Sequence, residues 1–184
     1  MPAALVHDPV LALMMRTALA VLFVSAAGHK LRARVAFQGV LHAYRLLPAS
    51  FVPVAAPAIA VVELGLAVAL LLPVGRTLGA LGAVTLLTVY SVAIAVNLAR
   101  GRRAIDCGCG APGERQPISE WLLVRNVGLA GVALLTLASV TPRPLVWVDW
   151  LTLTGGLAVV SCAWVAAHGL AAASSRVRSL GAPR

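Results

Sequence analysis

Apolar residues fill this chain in long runs broken by short polar or proline-rich stretches. Five such runs stand out, at residues 10–28, 51–72, 78–99, 120–139 and 145–170. A helix needs about 20 apolar residues to cross the hydrocarbon of a bilayer. The pattern therefore predicts an all-α integral membrane protein, with a four-helix transmembrane bundle plus a fifth C-terminal span. Only residues 30–47 are patterned differently. There Arg34, Gln38, His42 and Arg45 share one helical face, and Ala33, Phe37, Val40, Tyr44 and Leu47 share the opposite one. Two-faced periodicity of this kind predicts an interfacial amphipathic helix lying in the headgroup region, ended by Pro48. A plain connecting loop is the alternative.

The breaks are as informative as the runs. Pro73-Val74-Gly75-Arg76 and Thr141-Pro142-Arg143-Pro144 are turns. Residues 100–119 are the one long polar stretch, with Ser119 placed to cap the helix that follows. Residues 175–184 read as a disordered basic tail, which leaves residues 1–174 as a single transmembrane domain. Gly75, Gly79 and Gly82 lie at helical spacing and allow close approach of a second helix. Met14-Met15-Arg16 with the apolar residues after it also fits a signal peptide. Counted from Met1, however, the run reaches full span length.

Composition agrees with the pattern. The 184 residues are 60% hydrophobic and 11% charged, with mean hydropathy +0.93. A soluble domain carries about 25% charged residues. The net charge of +9 falls mostly in the breaks, and aromatics make up only 5%, so no surface for nucleic acid is indicated. With five spans, one side of the membrane holds eleven lysines and arginines and the other holds Arg76 and Arg143. The positive-inside rule puts the richer side, with segment 30–50 and loop 100–119, in the cytoplasm. Trp121, Trp147 and Trp150 sit near the ends of runs, as interfacial aromatics do.

Inside the runs, polar residues are few. Glu63 lies mid-span and must be neutral or paired; Arg16 is its expected partner in a buried polar centre, serving either as a clamp between helices or in proton handling. Asn97 is expected to bond a neighbouring helix or the interface, and Arg125 and Asn126 to face the bundle or reach toward the polar loop.

The loop holds Asp106-Cys107-Gly108-Cys109-Gly110, two of the three cysteines in the chain. Cysteines one residue apart close only a small, strained ring, and strained disulfides exchange readily. Gly108 and Gly110 give the backbone the freedom to bring the sulfurs together. Arg102, Arg103 and Arg115 favour a thiolate, and Asp106 opposes it. Cys162 is either a third, resolving thiol or a small buried hydrophobe. Two further readings stay open: a metal site completed by His29, His42 and His168, whose spacing matches no zinc pattern, and a turn without chemistry. No haem, flavin or nucleotide motif is present, so no cofactor is expected.

The motifs then suggest a family. Gly28-His29-Lys30-Leu31, Phe37, Tyr44 with Leu46-Leu47-Pro48, and Glu63 resemble the first half of the MauE and DoxX-like membrane protein families. Asp106-Cys107-Gly108-Cys109-Gly110, Trp121 and Arg125-Asn126 resemble the second half of MauE, although Gly110 stands where that family often has an aromatic residue. The resemblance implies a multi-pass bacterial inner-membrane factor for methylamine utilisation. It implies processing, export or disulfide formation of the methylamine dehydrogenase small subunit, a disulfide-rich periplasmic protein. That client and other maturation proteins are the implied partners. A periplasmic client pulls the loop to the opposite side from the charge count. The implied activity is thiol–disulfide exchange at Cys107 and Cys109, supported by Asp106, Gly108, Arg102, Arg103, Arg125 and Asn126. A small transporter or export partner, and a scaffold without redox chemistry, are the alternatives.

Overall fold

The computed structural model describes residues 8–108, 117–141 and 143–180. Among these the chain is helical: α1 (Pro9–Arg32), α2 (Arg34–Tyr44), α3 (Val52–Leu71), α4 (Arg76–Ala99), α5 (Glu120–Leu135) and α6 (Trp147–Leu180), with a short 3-10 turn at Ala49–Phe51 before α3. The only β-type pairing described is an isolated antiparallel bridge between Asp106 and Pro117.

Three helical segments are long and apolar enough to cross a membrane: α1, α3 with its preceding turn, and α4. At 24 residues, α1 and α4 are each about 36 Å long. Large hydrophobic residues point outward as well as inward, with Val54, Val61 and Val68 on α3 and Leu78, Val89 and Val92 on α4 all exposed. Helices apolar all round suit a lipid surrounding. The fourth expected span is shorter than its apolar run. Thr136 Oγ1 donates to Ala133 O (2.7 Å) and the chain leaves α geometry there, so α5 has 16 residues. The fifth begins at Trp147 and carries an apolar stretch of Trp147–Ala163. α6 is helical through Leu180, and residues 181–184 of the expected tail lie outside the described residues.

Local signals set the ends. Asp8 caps α1 by accepting from the Val10 amide (2.8 Å), and Pro9 takes the first helical position, where its missing N–H costs nothing. At the end of α4, Gly101 adopts φ +71°, its amide donates to Leu98 O and that of Arg102 to Asn97 O, a Schellman stop. The amphipathic segment is not one helix over 30–47. Residues up to Arg32 belong to α1, the backbone breaks at Ala33, and α2 ends where Arg45 turns left-handed (φ 50°), ahead of Pro48. Phe37 and Tyr44 are the buried face of α2, which packs on α3.

α1 packs on α3, α3 on α4, α4 on α5, and α5 returns to α1; α6 lies against α1. Leu19, Ala20, Phe23, Ala67, Leu70, Ala80, Ala83, Leu87 and Ala133 fill the centre. Small residues let α3 and α4 approach closely. A Cβ on Gly79 would lie 2.7 Å from the Leu70 amide nitrogen and 2.9 Å from the Ala69 carbonyl carbon, and backbone cannot move aside cheaply. At one end of the molecule Arg143 bridges Asp8 and Asp149, holding the start of α1 to the start of α6. The hydrogen bonds that Arg143 donates to Asp149 and then to Asp8 raise its pKa above the ordinary value and keep it charged. The opposite end carries α2 and the cysteine loop.

Gly79→Ala is expected to lower stability by about 1–3 kcal/mol through overpacking. Gly128→Ala, where an added Cβ meets nothing within 4 Å, should stay within about 0.5 kcal/mol of the parent. Denaturant unfolding in detergent checks both, and equal effects would refute the close contact.

Candidate functional site

The cysteine loop is tied at its base. Ile118 N donates to Ile105 O (2.9 Å), and the adjoining Asp106–Pro117 bridge brings the two ends of the loop together. Asp106 Oδ1 accepts from the Gly108 amide at 3.3 Å, turning the chain just after Cys107. Gly108 sits at φ +73°, a conformation that side chains resist. It also lacks room for one, since a Cβ would lie 3.1 Å from Val40 Cγ1 and 3.3 Å from the Phe37 ring. The glycine between the cysteines is thus favoured by its backbone angle and by the tight space around it.

Cys107 is buried among Tyr44, Ile94, Ile118 and Leu122, with Val40 and Ile105 alongside. Elements from α2, α4 and α5 form this bed. Cys109, Gly110 and Arg115 lie outside the described residues, as does the side chain of His168. Cys162 is exposed on α6. Among the described residues, no group of three or more His, Cys, Asp or Glu side chains is gathered as for a metal ion.

Arg102, Arg103 and Arg125 make hydrogen bonds beside the loop. Arg103 Nη2 donates to Glu120 Oε1 at 2.6 Å, and that hydrogen bond raises the Arg103 pKa above its ordinary value. Arg102 Nη1 donates to Asn97 Oδ1 (3.1 Å) and to Tyr44 O (3.4 Å), stitching the end of α4 to the end of α2. The fully buried Asn97 in turn donates to Ala93 O (3.0 Å). Arg125 donates through Nε and Nη2 to Asn126 Oδ1, and Asn126 is buried. These bonds shape the ends of the helices beside the loop.

The buried polar centre has a different partner from the one expected. Glu63 is 1% exposed and its Oε1 takes Lys30 Nζ at 2.5 Å, with Lys30 also buried at 4%. Tyr90 OH donates to the same oxygen at 2.7 Å. The Lys30 ammonium lies 5.4 Å from the Phe37 ring centroid and 5.5 Å from that of Tyr90, within cation–π range. Residues of α1, α2, α3 and α4 meet here. Arg16 does not join them: its Nε donates to Ala12 O (3.1 Å), and it lies within electrostatic reach of Arg76 at the opposite end. The helix register explains the difference. The antiparallel pairing of α1 with α3 sets Leu19 and Phe23 in the cluster of Leu70 and Ala67. Glu63, one to two turns further back along α3, then faces the late part of α1, where Lys30 is. Lys30 follows Phe23 and Ala27 along the buried stripe of α1, and that spacing was the signal available in the sequence.

Breaking a buried ion pair by removing one partner costs about 3–5 kcal/mol, while a well-packed apolar replacement of both is far less harmful. Glu63→Leu and Lys30→Met should therefore each destabilise strongly, and the double substitution should be milder than either. A double-mutant cycle on unfolding in detergent reads the coupling, and simple additivity would contradict the pairing.

Residues 8–139 match the family described as methylamine utilisation protein MauE. Curated relatives share that description. The chain is 45% identical over 128 residues to the MauE protein of Methylorubrum extorquens, covering 69% of this chain and 68% of the relative. It is 41% identical over 127 residues to that of Paracoccus denitrificans, with the same coverages. To that of Methylophilus methylotrophus it is 40% identical over 132 residues, covering 71% and 70%. No solved structure matches it. The match takes in α1 to α5, the buried Lys30–Glu63 pair and the whole cysteine loop, and the chain belongs to the MauE family of methylamine utilisation proteins.

Proposed function

We propose that this protein is a multi-pass protein of the bacterial inner membrane that matures the methylamine dehydrogenase small subunit by thiol–disulfide exchange at Cys107 and Cys109. In this reading α1, α3, α4 and α5 form the transmembrane bundle and α6 adds a fifth span. The observation that carries the chemistry is the seating of the loop. Cys107 is held in an apolar bed, and Gly108 beside it adopts a left-handed backbone angle in a tight space, both of which favour glycine. So closely built a turn is more than a connection between helices.

In the exchange, a client thiolate attacks one sulfur of a Cys107–Cys109 disulfide, forming a mixed disulfide and releasing the other cysteine as a thiolate. The second client thiolate then displaces the loop cysteine. The client leaves with a new disulfide, and Cys107 and Cys109 keep the two electrons and take up protons as thiols. A Cys-Gly-Cys ring suits the oxidising direction because its strain is released on opening.

Replacing Cys107 and Cys109 together by serine is expected to abolish accumulation of active dehydrogenase in methylamine-grown cells while leaving the variant in the membrane at the parent level. Normal enzyme in that strain would end this reading. If instead Glu63→Gln abolished function and the cysteine variant did not, a transport role would replace it. A membrane-impermeant thiol reagent, applied to cells carrying Cys162→Ser, locates the loop. Reaction in intact cells places the exchange on an exported client, and reaction only after lysis places it before export.

A further inference from the structure

One aromatic ring lies between the buried ion pair and the cysteine loop. Lys30 Nζ, fixed by Glu63, faces the Phe37 ring at 5.4 Å. The edge of the same ring, Cδ2 and Cε2, lies where a Cβ of Gly108 would come within 3.3 Å. Gly108 is bonded to Cys107. A continuous path therefore runs from Glu63 on α3 through Lys30 on α1 and Phe37 on α2 to the backbone of the cysteine loop.

We infer that Phe37 is a positioning residue: the ammonium of Lys30 holds its ring in place, and the ring is the floor on which Gly108 seats Cys107. The functional meaning of this rests on the exchange reading above, but the positioning itself does not. Two features argue for it over simple packing. A buried ion pair contributes little net stability compared with apolar residues of the same volume, so its role lies in what it orients. The cation is also held on three sides, by the Glu63 carboxylate and the Phe37 and Tyr90 rings. That arrangement fixes a ring plane as well as a distance, because the attraction acts on the face of the ring. Lys30 and Phe37 lie on either side of the backbone break at Ala33, so the same contact sets the angle at which α2 leaves α1. α2 supplies Phe37, Val40 and Tyr44, three of the side chains around the loop.

The test uses the full chain in detergent with Cys109→Ser and Cys162→Ser, so that only Cys107 reports, and measures the rate of its alkylation by a small maleimide. Phe37→Leu and Lys30→Ala should each raise that rate by about tenfold or more, because local opening exposes the sulfur. Phe37→Tyr, which keeps the ring face, should stay near the parent. n-Propylammonium at about 20 mM, within the effective-concentration range of a short tether, should refill the cage in Lys30→Ala and return its rate toward the parent. It should not correct Phe37→Leu, which lacks the ring through which the cation acts. Phe23→Leu, in the central core away from the loop, controls for general loosening and should leave the rate unchanged. Parent-like rates in Phe37→Leu would overturn the inference, as would an equal acceleration by Phe23→Leu or the same response of both variants to propylammonium. If Lys30→Ala does not fold, the Phe37 and Phe23 variants decide the matter alone. Because the reaction is read on an isolated thiol, its outcome is independent of whether Cys107 and Cys109 exchange with a client in cells.

Discussion

A lysine and a glutamate sharing a bond inside an apolar protein constrain everything around them. Neither Lys30 nor Glu63 can stay charged at that depth without the other, since a lone buried charge costs several kcal/mol at least. The chain must therefore bring the end of α1 level with the middle of α3, and Tyr90 on α4 is drawn to the same oxygen. Apolar side chains in a bilayer specify register weakly, because one methyl group can replace another against lipid. Here a polar centre joining three helices selects one register.

The cysteine loop depends on that register. Its bed is assembled from α2, α4 and α5, and each reaches the loop from a helix whose depth is set elsewhere. Arg102 reinforces the join by reaching from the stop of α4 to the last carbonyl of α2. The backbone features at the loop itself, the Asp106 turn and the left-handed Gly108, are local and would form in a short peptide only fleetingly. Packed between Phe37 and Val40 they are held, which makes a flexible sequence motif into a defined surface.

Much of this was legible in the sequence. The apolar runs of α1, α3 and α4 announce themselves by length, and the two-faced pattern of α2 correctly names Phe37 and Tyr44 as its inner residues. The motifs around Glu63 and Cys107 were enough to suggest the family. What sequence alone misplaced was the partner of Glu63. Arg16 is the basic residue deepest in an apolar run, and Lys30 looks like part of an interfacial cluster; only the pairing of α1 with α3, a long-range fact, reverses that order. The end of α2 at Arg45 also escaped, since a positive φ in a non-glycine residue has no strong local signature.

The clamp formed by Arg143 with Asp8 and Asp149 bears on how the chain is made. Asp8 and Arg143 are 135 residues apart, and the bond between them is partly exposed, so it adds little to equilibrium stability. Its significance is one of timing. A ribosome makes α1 before α6, and the start of α1 cannot meet Arg143 until the segments between them have been synthesised. The clamp is thus a late seam, closed only after α1 to α5 have been made, and until then the start of α1 stays unfastened.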